Sequence, residues 1–231
     1  MPRPNLIAAL AYPNTDALPA DGAARVGPAD LVEVRLDAVE GGNEVAVSLC
    51  RTIAGWDRPL LLTPRSPGEG GMREWGMGER QAMLLDVWAA VTPVGVDVEL
   101  RDSPKLLEWT LAHRPHGTEV IASYHNFDQF PGVGWLEVLA LEAQAQGADR
   151  FKAAVRVDGP AEMADLACWT RERSKHFSLI TMAVGEQGSL SRVMNGIFGS
   201  WACYAHIEEA TAPGQLPVQE LGPLLERFYV S

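Results

Sequence analysis

Two side chains in this sequence could together carry out imine chemistry on a carbonyl compound. Lys152 lies in the apolar run F-K-A-A-V, which has the length and composition of a buried strand. A buried ammonium group loses its hydration, which favours the neutral amine, a nucleophile towards carbonyl carbon. A second strand-like run, I-A-S-Y-H-N-F, carries His125, and an imidazole can move protons near neutral pH. Alone, Lys152 could extend its amine to solvent and His125 could be a core residue, but together they predict a catalytic pair.

Apolar runs of strand length recur along the chain, and segments with helical periodicity lie between most of them. Residues 133–145 show one apolar face and are followed by Gly147, a typical helix stop. Ser103 and Pro104 predict an N-cap and a first helical position. The alternation predicts a (β/α)₈ barrel formed by residues 1–231 as one domain. A doubly wound open sheet is the alternative, but no G-x-G-x-x-G motif follows the first run. The eight runs lie near residues 5–10, 30–36, 59–64, 95–100, 118–124, 150–155, 178–183 and 200–205.

Charged and aliphatic residues alternate in two of these runs, residues 31–37 and 96–100. Ser123 and His125 share one face of a third run in the same way. A single strand of this kind would more often be an edge strand with one solvated face. Three such strands beside Lys152 instead predict that the polar face points into the lumen of a barrel, where a site forms at the carboxyl ends of the strands.

Composition limits the classes of partner. The formal net charge of −11 disfavours nucleic acid and anionic membranes as partners. No apolar stretch approaches the roughly 20 residues of a membrane span, and the start M-P-R-P-N lacks a secretory signal, so we expect a cytoplasmic protein with reduced cysteines. His113 and His116 could suggest a metal site, but Pro115 separates them and no third ligand is near, so we expect no metal.

Eight short segments contain most of the polar residues in or after the predicted strands. They are E-V-R-L-D (33–37), T-P-R-S-P-G-E-G-G (63–71), V-D-V-E-L (96–100), S-Y-H-N-F (123–127), F-K-A-A-V (151–155), G-E-Q-G-S-L-S-R (185–192), F-G-S (198–200) and A-T-A-P-G-Q-L (210–216). Each segment is unspecific alone. In this order and spacing they resemble the type I 3-dehydroquinate dehydratases, the Schiff-base barrel enzymes of the shikimate pathway. The resemblance implies a homodimeric, cofactor-independent lyase that converts the small molecule 3-dehydroquinate to 3-dehydroshikimate.

The resemblance also implies roles for three catalytic residues. Lys152 would form an imine with the C3 ketone, and this imine would lower the cost of a carbanion at C2. His125 would take the C2 proton and return a proton to the departing C1 hydroxyl. Glu69, in the glycine-rich loop after the third strand, would hold the histidine, and we expect the glycines of that loop to adopt positive φ angles.

Eight further residues are implied to bind the substrate. Arg192 would pair with the substrate carboxylate through its guanidinium fork. Surface ion pairs are the alternative for each arginine, and core packing is the alternative for the methionine and the tyrosine. We also expect the arginines and Lys152 to form a basic pocket on this acidic protein. The other substrate-binding residues are Glu33, Arg35, Arg65, Met182, Tyr204, Thr211 and Gln215, of which the last two lie on a predicted lid.

The chain departs from the family pattern at several positions. Ala9 and Thr211 stand where serines are usual, and Val184 stands where a methionine is expected. We expect the family's N-terminal hairpin, which closes the bottom of the barrel, to be absent. Two other functions are considered: a class I Schiff-base aldolase on a similar barrel, and a relative that binds ligand without catalysis.

Overall fold

Eight parallel strands form a barrel in the computed structural model, which describes residues 3–185 and 188–229. The strands are β1 (Asn5–Leu10), β2 (Leu31–Arg35), β3 (Leu60–Thr63), β4 (Gly95–Glu99), β5 (Glu119–Asn126), β6 (Arg150–Arg156), β7 (Leu179–Val184) and β8 (Ala202–His206). Each strand end lies within two residues of its predicted limit. The prediction of eight strands from apolar runs is therefore confirmed.

The sheet follows chain order and curls until its two edges meet. Strands β1 to β7 pair consecutively, and β8 pairs with β1. The barrel closes between β7 and β8, where the Trp201 N–H donates to the Leu179 carbonyl at 2.7 Å. A two-residue strand, β9 (Leu216–Pro217), extends the sheet beyond β8. This architecture is the predicted (β/α)₈ barrel, not the open doubly wound sheet.

Helices connect the strands and cover the outside of the barrel. They are α1 (Gly22–Arg25), α2 (Asn43–Ala54), α3 (Met77–Trp88), α4 (Pro104–His113), α5 (Val133–Gln146), α6 (Pro160–Arg173), α7 (Gly188–Met194) and α8 (Val218–Phe228). Helix α5 ends as predicted, because Gly147 adopts the left-handed conformation with φ 89°. Ser103 and Pro104 occupy the predicted N-cap and first helical positions of α4, but the Ser103 hydroxyl accepts a hydrogen bond from Arg80 at 2.8 Å instead of capping the helix. Among the described residues, no helix has both the length and the apolar character required to cross a bilayer.

The barrel has an apolar outer layer and a largely polar upper lumen. The outward side chains of β2 and β4, such as Val32 and Val98, are fully buried beneath the helices. The inward side chains of the same strands, among them Glu33, Asp97 and Glu99, are buried as well. The alternation predicted from the sequence is confirmed, and it places charged groups inside the protein, where each requires a partner.

Candidate active site

A cavity at the carboxyl-terminal end of the barrel brings together every predicted site residue. Parallel strands direct the residues at their carboxyl ends towards one rim, so side chains far apart in sequence meet there. Besides Gly70, Phe127, Ala154 and Ala212, the lining consists of Glu33, Arg35, Arg65, Glu69, His125, Lys152, Met182, Arg192, Tyr204, Thr211 and Gln215.

The amine of Lys152 lies deep in this cavity, and the residue is only 4% exposed. Its Nζ donates to Asp97 Oδ2 at 2.8 Å, and Glu33 Oε1 lies 3.9 Å away. The Nζ also lies 4.1 Å from the centroid of the Tyr204 ring. The amine therefore has carboxylates on one side and an aromatic ring on another, with little access to bulk water.

Asp97 is the principal partner of Lys152, and the sequence did not identify it as a site residue. Besides the lysine, it accepts hydrogen bonds from Arg65 Nη2 at 2.9 Å and Ser123 Oγ at 2.6 Å. Burial alone would raise the pKa of Asp97, but the charges of Arg65 and Lys152 outweigh burial and hold that pKa well below its ordinary value. Asp97 is thus a carboxylate at neutral pH. Its place on the polar face of β4 is the signal that could have identified it.

The predicted basic pocket is not observed, because most of its cations are paired. Arg35 makes two hydrogen bonds to Asp37, at 2.8 and 2.6 Å. Arg65 binds Glu99 at 3.0 Å in addition to its contact with Asp97. Lys152 is paired as described above. The expectation of a basic pocket is therefore wrong: the inward-facing carboxylates neutralise these groups, as the low dielectric of a buried site requires.

Arg192 is the exception. Its side chain is 1% exposed, and its hydrogen bonds go to uncharged acceptors: the carbonyls of Gly214 at 2.9 Å and Pro213 at 3.1 Å, and the Met182 sulfur at 3.2 Å. No carboxylate among the described residues pairs with it. Burial lowers the pKa of Arg192 to about 10, so the group remains a cation at neutral pH. An unneutralised buried guanidinium at the cavity wall is suited to bind an anion.

His125 and Glu69 form a buried pair beside the lysine. In the register of β5 and β6, Ser123 lies opposite Lys152, so His125 is on the same inward face one step closer to the rim. Glu69 Oε2 lies 2.8 Å from both the backbone nitrogen and Nδ1 of His125. Because this oxygen accepts the backbone N–H, we assign it as the acceptor of a proton on Nδ1 as well, which leaves the lone pair on Nε2 free.

Burial favours the uncharged form of both members of this pair. Burial lowers the pKa of His125 well below its ordinary value, and the positive charges of Arg65 and Lys152 lower it further. Burial raises the pKa of Glu69 to about 8, although Arg65 opposes the shift. His125 is therefore a neutral imidazole that can accept a proton, as a general base must.

The glycine-rich loop that carries Glu69 folds differently from expectation. Only Gly70 of the three glycines adopts a positive φ, 85°. Gly71 is required for another reason, since a Cβ there would lie 2.6 Å from the backbone of Arg65 and Ser66. The loop is thus packed closely against the chain before it, and this packing positions Glu69 beneath the histidine.

The loop after β8 covers the cavity. Both the backbone N–H and the hydroxyl of Thr211 donate to Gln215 Oε1, at 2.7 and 3.1 Å. The contacts of Arg192 with the carbonyls of this loop join it to α7. Ahead of α7, Glu186 and Gln187 of the predicted G-E-Q-G-S-L-S-R motif lie outside the described residues.

Two departures from the family pattern fall outside the cavity lining. Ala9 lines a neighbouring groove with Thr211 and Met72. Val184 is buried among the apolar residues inside the barrel. Neither residue therefore belongs to the cavity lining that Lys152 and His125 share.

Comparison with known proteins gives one consistent result. Residues 9–230 match the family model described as Type I 3-dehydroquinase. A 3-dehydroquinate dehydratase of Aromatoleum aromaticum is 34% identical over 210 residues, which cover 85% of this chain and 79% of the relative. A type I 3-dehydroquinate dehydratase from Clostridium difficile, solved with covalently modified comenic acid, superposes with a TM-score of 0.85 at 25% identity and covers 97% of this chain and 92% of its own. A 3-dehydroquinate dehydratase from Geobacillus kaustophilus gives a TM-score of 0.85 at 27% identity, with 97% and 90% covered. The resemblance inferred from the motifs is confirmed, and the chain belongs to the type I 3-dehydroquinase family.

Proposed function

We propose that this protein dehydrates 3-dehydroquinate to 3-dehydroshikimate through an imine formed on Lys152. The observation that carries the proposal is the placement of a buried amine and a neutral imidazole on adjacent strands, facing one cavity. An amine and a proton carrier are the two groups that imine-assisted elimination requires. Family membership supplies the substrate and the product.

Imine formation requires Lys152 to lose a proton before it attacks. Asp97 Oδ2, 2.8 Å from Nζ, holds the amine in place, but its lowered pKa makes it a poor proton acceptor, so the proton passes to water as the substrate enters. The neutral nitrogen adds to the C3 carbonyl carbon, and the resulting carbinolamine loses water to give a protonated imine. Its positive charge makes it a sink for the electrons released at C2.

His125 then moves the proton that the elimination requires. Its free Nε2 accepts the C2 proton, and the electron pair of that bond passes into the imine to form an enamine. The enamine expels the C1 hydroxyl, which leaves as water after it takes the proton from His125. Water hydrolyses the imine, releases the enone product and restores Lys152. Glu69 holds the imidazole by its Nδ1 throughout.

The remaining cavity residues would bind the substrate. Arg192 would take the carboxylate. Glu33 would accept from substrate hydroxyls, and Thr211 and Gln215 would close the loop after β8 over the ring. Arg35, Arg65 and Met182 would shape the wall, the two arginines through the carboxylates that they already hold.

Arg192→Ala is expected to weaken substrate binding more than chemistry. Loss of a charge-assisted hydrogen bond predicts a rise in KM of about 10- to 100-fold, with a smaller change in kcat. Arg192→Lys keeps the positive charge but not the forked guanidinium group, so its KM should lie between those of the wild type and Arg192→Ala. Steady-state kinetics with 3-dehydroquinate measure both values. An unchanged KM would assign the carboxylate to another residue.

The proposal is tested by incubating the purified protein with 3-dehydroquinate. The conjugated enone should appear in the ultraviolet spectrum, and borohydride should fix a substrate-derived mass on the chain. A Schiff-base aldolase would give a trapped adduct together with two cleaved fragments. A protein that only binds ligand would give neither adduct nor enone. Either of these results would contradict the proposal.

We also propose that residues 1–231 act as one catalytic domain in the cytoplasm. The continuous sheet and the family match over residues 9–230 support the single domain. All three cysteines are free, which is usual in a reducing compartment.

A homodimer is the third part of this proposal, and α5 is the surface that supports it. One face of α5 is buried against the barrel, yet Trp135, Val138 and Leu141 on the opposite face are 42%, 49% and 49% exposed. A helix that is apolar on both sides is usually covered on both. Arg101 and Glu142 flank this face as an ion pair at 2.6 Å. Because both charge signs are present there, a second copy related by a two-fold axis is a complementary partner.

Val138→Glu should convert the dimer to a monomer, because a charge would then lie at the centre of the α5 face. Sedimentation or light scattering measures the mass. Leu85→Glu is the matched control, since Leu85 is equally exposed on α3 but remote from α5. A wild-type monomer, or a dimer that persists in Val138→Glu, would exclude this interface.

A further inference from the structure

The hydroxyl group of Tyr204 is buried in the cavity without a hydrogen-bond partner among the described residues. The side chain is 3% exposed and projects inward from β8. Its ring contacts the Lys152 amine, 4.1 Å from the ring centroid. Buried polar groups are nearly always paired, and the exceptions concentrate where a ligand or a mechanism requires them. The oxygen is therefore available to a molecule that occupies the cavity.

The chemistry of this hydroxyl suits it to donate a hydrogen bond. Burial raises the pKa of Tyr204 well above its ordinary value, and the negative charges of Glu33 and Asp97 raise it further. The phenol consequently keeps its proton throughout the physiological range. It remains a neutral donor beside a charged network.

Position limits what the hydroxyl can bind. Because the ring lies against the Lys152 nitrogen, its oxygen reaches only substrate atoms within a few bonds of the carbon that the lysine attacks. Glu33 Oε1, 3.9 Å from the Lys152 Nζ, already accepts a hydrogen bond from Thr63 and is suited only to accept. A substrate hydroxyl between these groups could donate to Glu33 and accept from Tyr204. A ketone at that position could accept from Tyr204 but could not donate to Glu33, and a methylene could do neither.

We propose that the Tyr204 hydroxyl selects substrates by donating a hydrogen bond to the substrate hydroxyl next to the carbon attacked by Lys152. This role rests on the proposed function and adds a specificity-determining residue to it. The sequence left substrate contact and core packing open for Tyr204, and this role assigns its hydroxyl to the substrate. The substrate hydroxyl would supply the hydrogen-bond partner that the phenol does not find among the described residues.

Tyr204→Phe tests the role by removing a single oxygen. We expect kcat/KM for 3-dehydroquinate to fall about 3- to 10-fold, the usual effect of one neutral hydrogen bond. Borohydride should still trap the adduct, because the imine does not need the phenol. The melting temperature of the ligand-free protein should rise by about 2–4 °C, since an unpaired buried hydroxyl is removed from a domain of this size.

Tyr124→Phe is the matched control. Tyr124 lies on the outward side of β5, where its hydroxyl accepts from Asn126 at 3.1 Å, so its loss should leave kcat/KM unchanged. A second measurement uses a 3-dehydroquinate analogue that lacks the hydroxyl next to the ketone. With this analogue the difference between wild type and Tyr204→Phe should disappear, as expected for two groups in direct contact.

Three results would overturn the inference. They are an unchanged kcat/KM in Tyr204→Phe, a persistent difference with the deoxy analogue, and a fall in the melting temperature of the ligand-free variant. The last result would show that the hydroxyl is structural, and it does not depend on turnover. Failure of the wild-type protein to convert 3-dehydroquinate would instead refute the proposed function, so the two failures are distinguishable.

Discussion

Lys152→Ala will abolish both turnover of 3-dehydroquinate and borohydride trapping. The amine is the proposed nucleophile, and no other lysine among the described residues lines the cavity. Removal of a covalent catalyst predicts a loss in kcat of more than about 10⁴-fold. The enone absorbance measures turnover, and the intact mass after borohydride treatment measures the adduct.

Two controls accompany this variant. Lys175→Ala removes an exposed lysine that pairs with Glu172 and should leave both readouts unchanged. In Lys152→Ala, Asp97 keeps its bonds to Arg65 and Ser123, so the barrel should fold with reduced stability. Circular dichroism checks the fold. Substantial activity in folded Lys152→Ala would eliminate the imine route.

His125→Ala will separate imine formation from proton transfer. The variant keeps Lys152 and its carboxylate partner, so borohydride should still fix a substrate-derived mass. Turnover should fall by about 10²- to 10⁴-fold, because the C2 proton has lost its acceptor. Mass spectrometry after short incubations would show the adduct accumulating while little enone is formed.

His113→Ala is the matched control for the imidazole. His113 is an exposed residue at the end of α4, stacked on Trp109, and its loss should not affect turnover. An unimpaired rate in His125→Ala would remove the histidine from the mechanism. Failure to trap an adduct would place His125 in imine formation as well.

Much of the architecture could be predicted from the sequence because the signals are local. Alternate residues of a barrel strand face the surrounding helices and the lumen. The residue pattern alone therefore assigns Glu33 and Arg35 to the inward face of β2. The carboxyl ends of parallel strands meet at one rim, which explains why eleven residues chosen from separate motifs line one cavity. Helix α4 begins at Pro104 as predicted, but the local pattern could not show that the Ser103 hydroxyl would bind Arg80 instead of capping the helix.

The arrangement of charge could not be predicted in the same way. The sequence by itself determined the barrel, the inward-facing residues and the family. Which cation meets which carboxylate depends on distances across the lumen: Asp97 is 55 positions from Lys152 and 32 positions from Arg65. Only the tertiary structure decided that these groups neutralise one another. It also decided that Arg192 has no carboxylate partner and that the Tyr204 hydroxyl has no hydrogen-bond partner among the described residues. Such pairing is set by the stagger of neighbouring strands and the closure of the barrel, which no local pattern encodes.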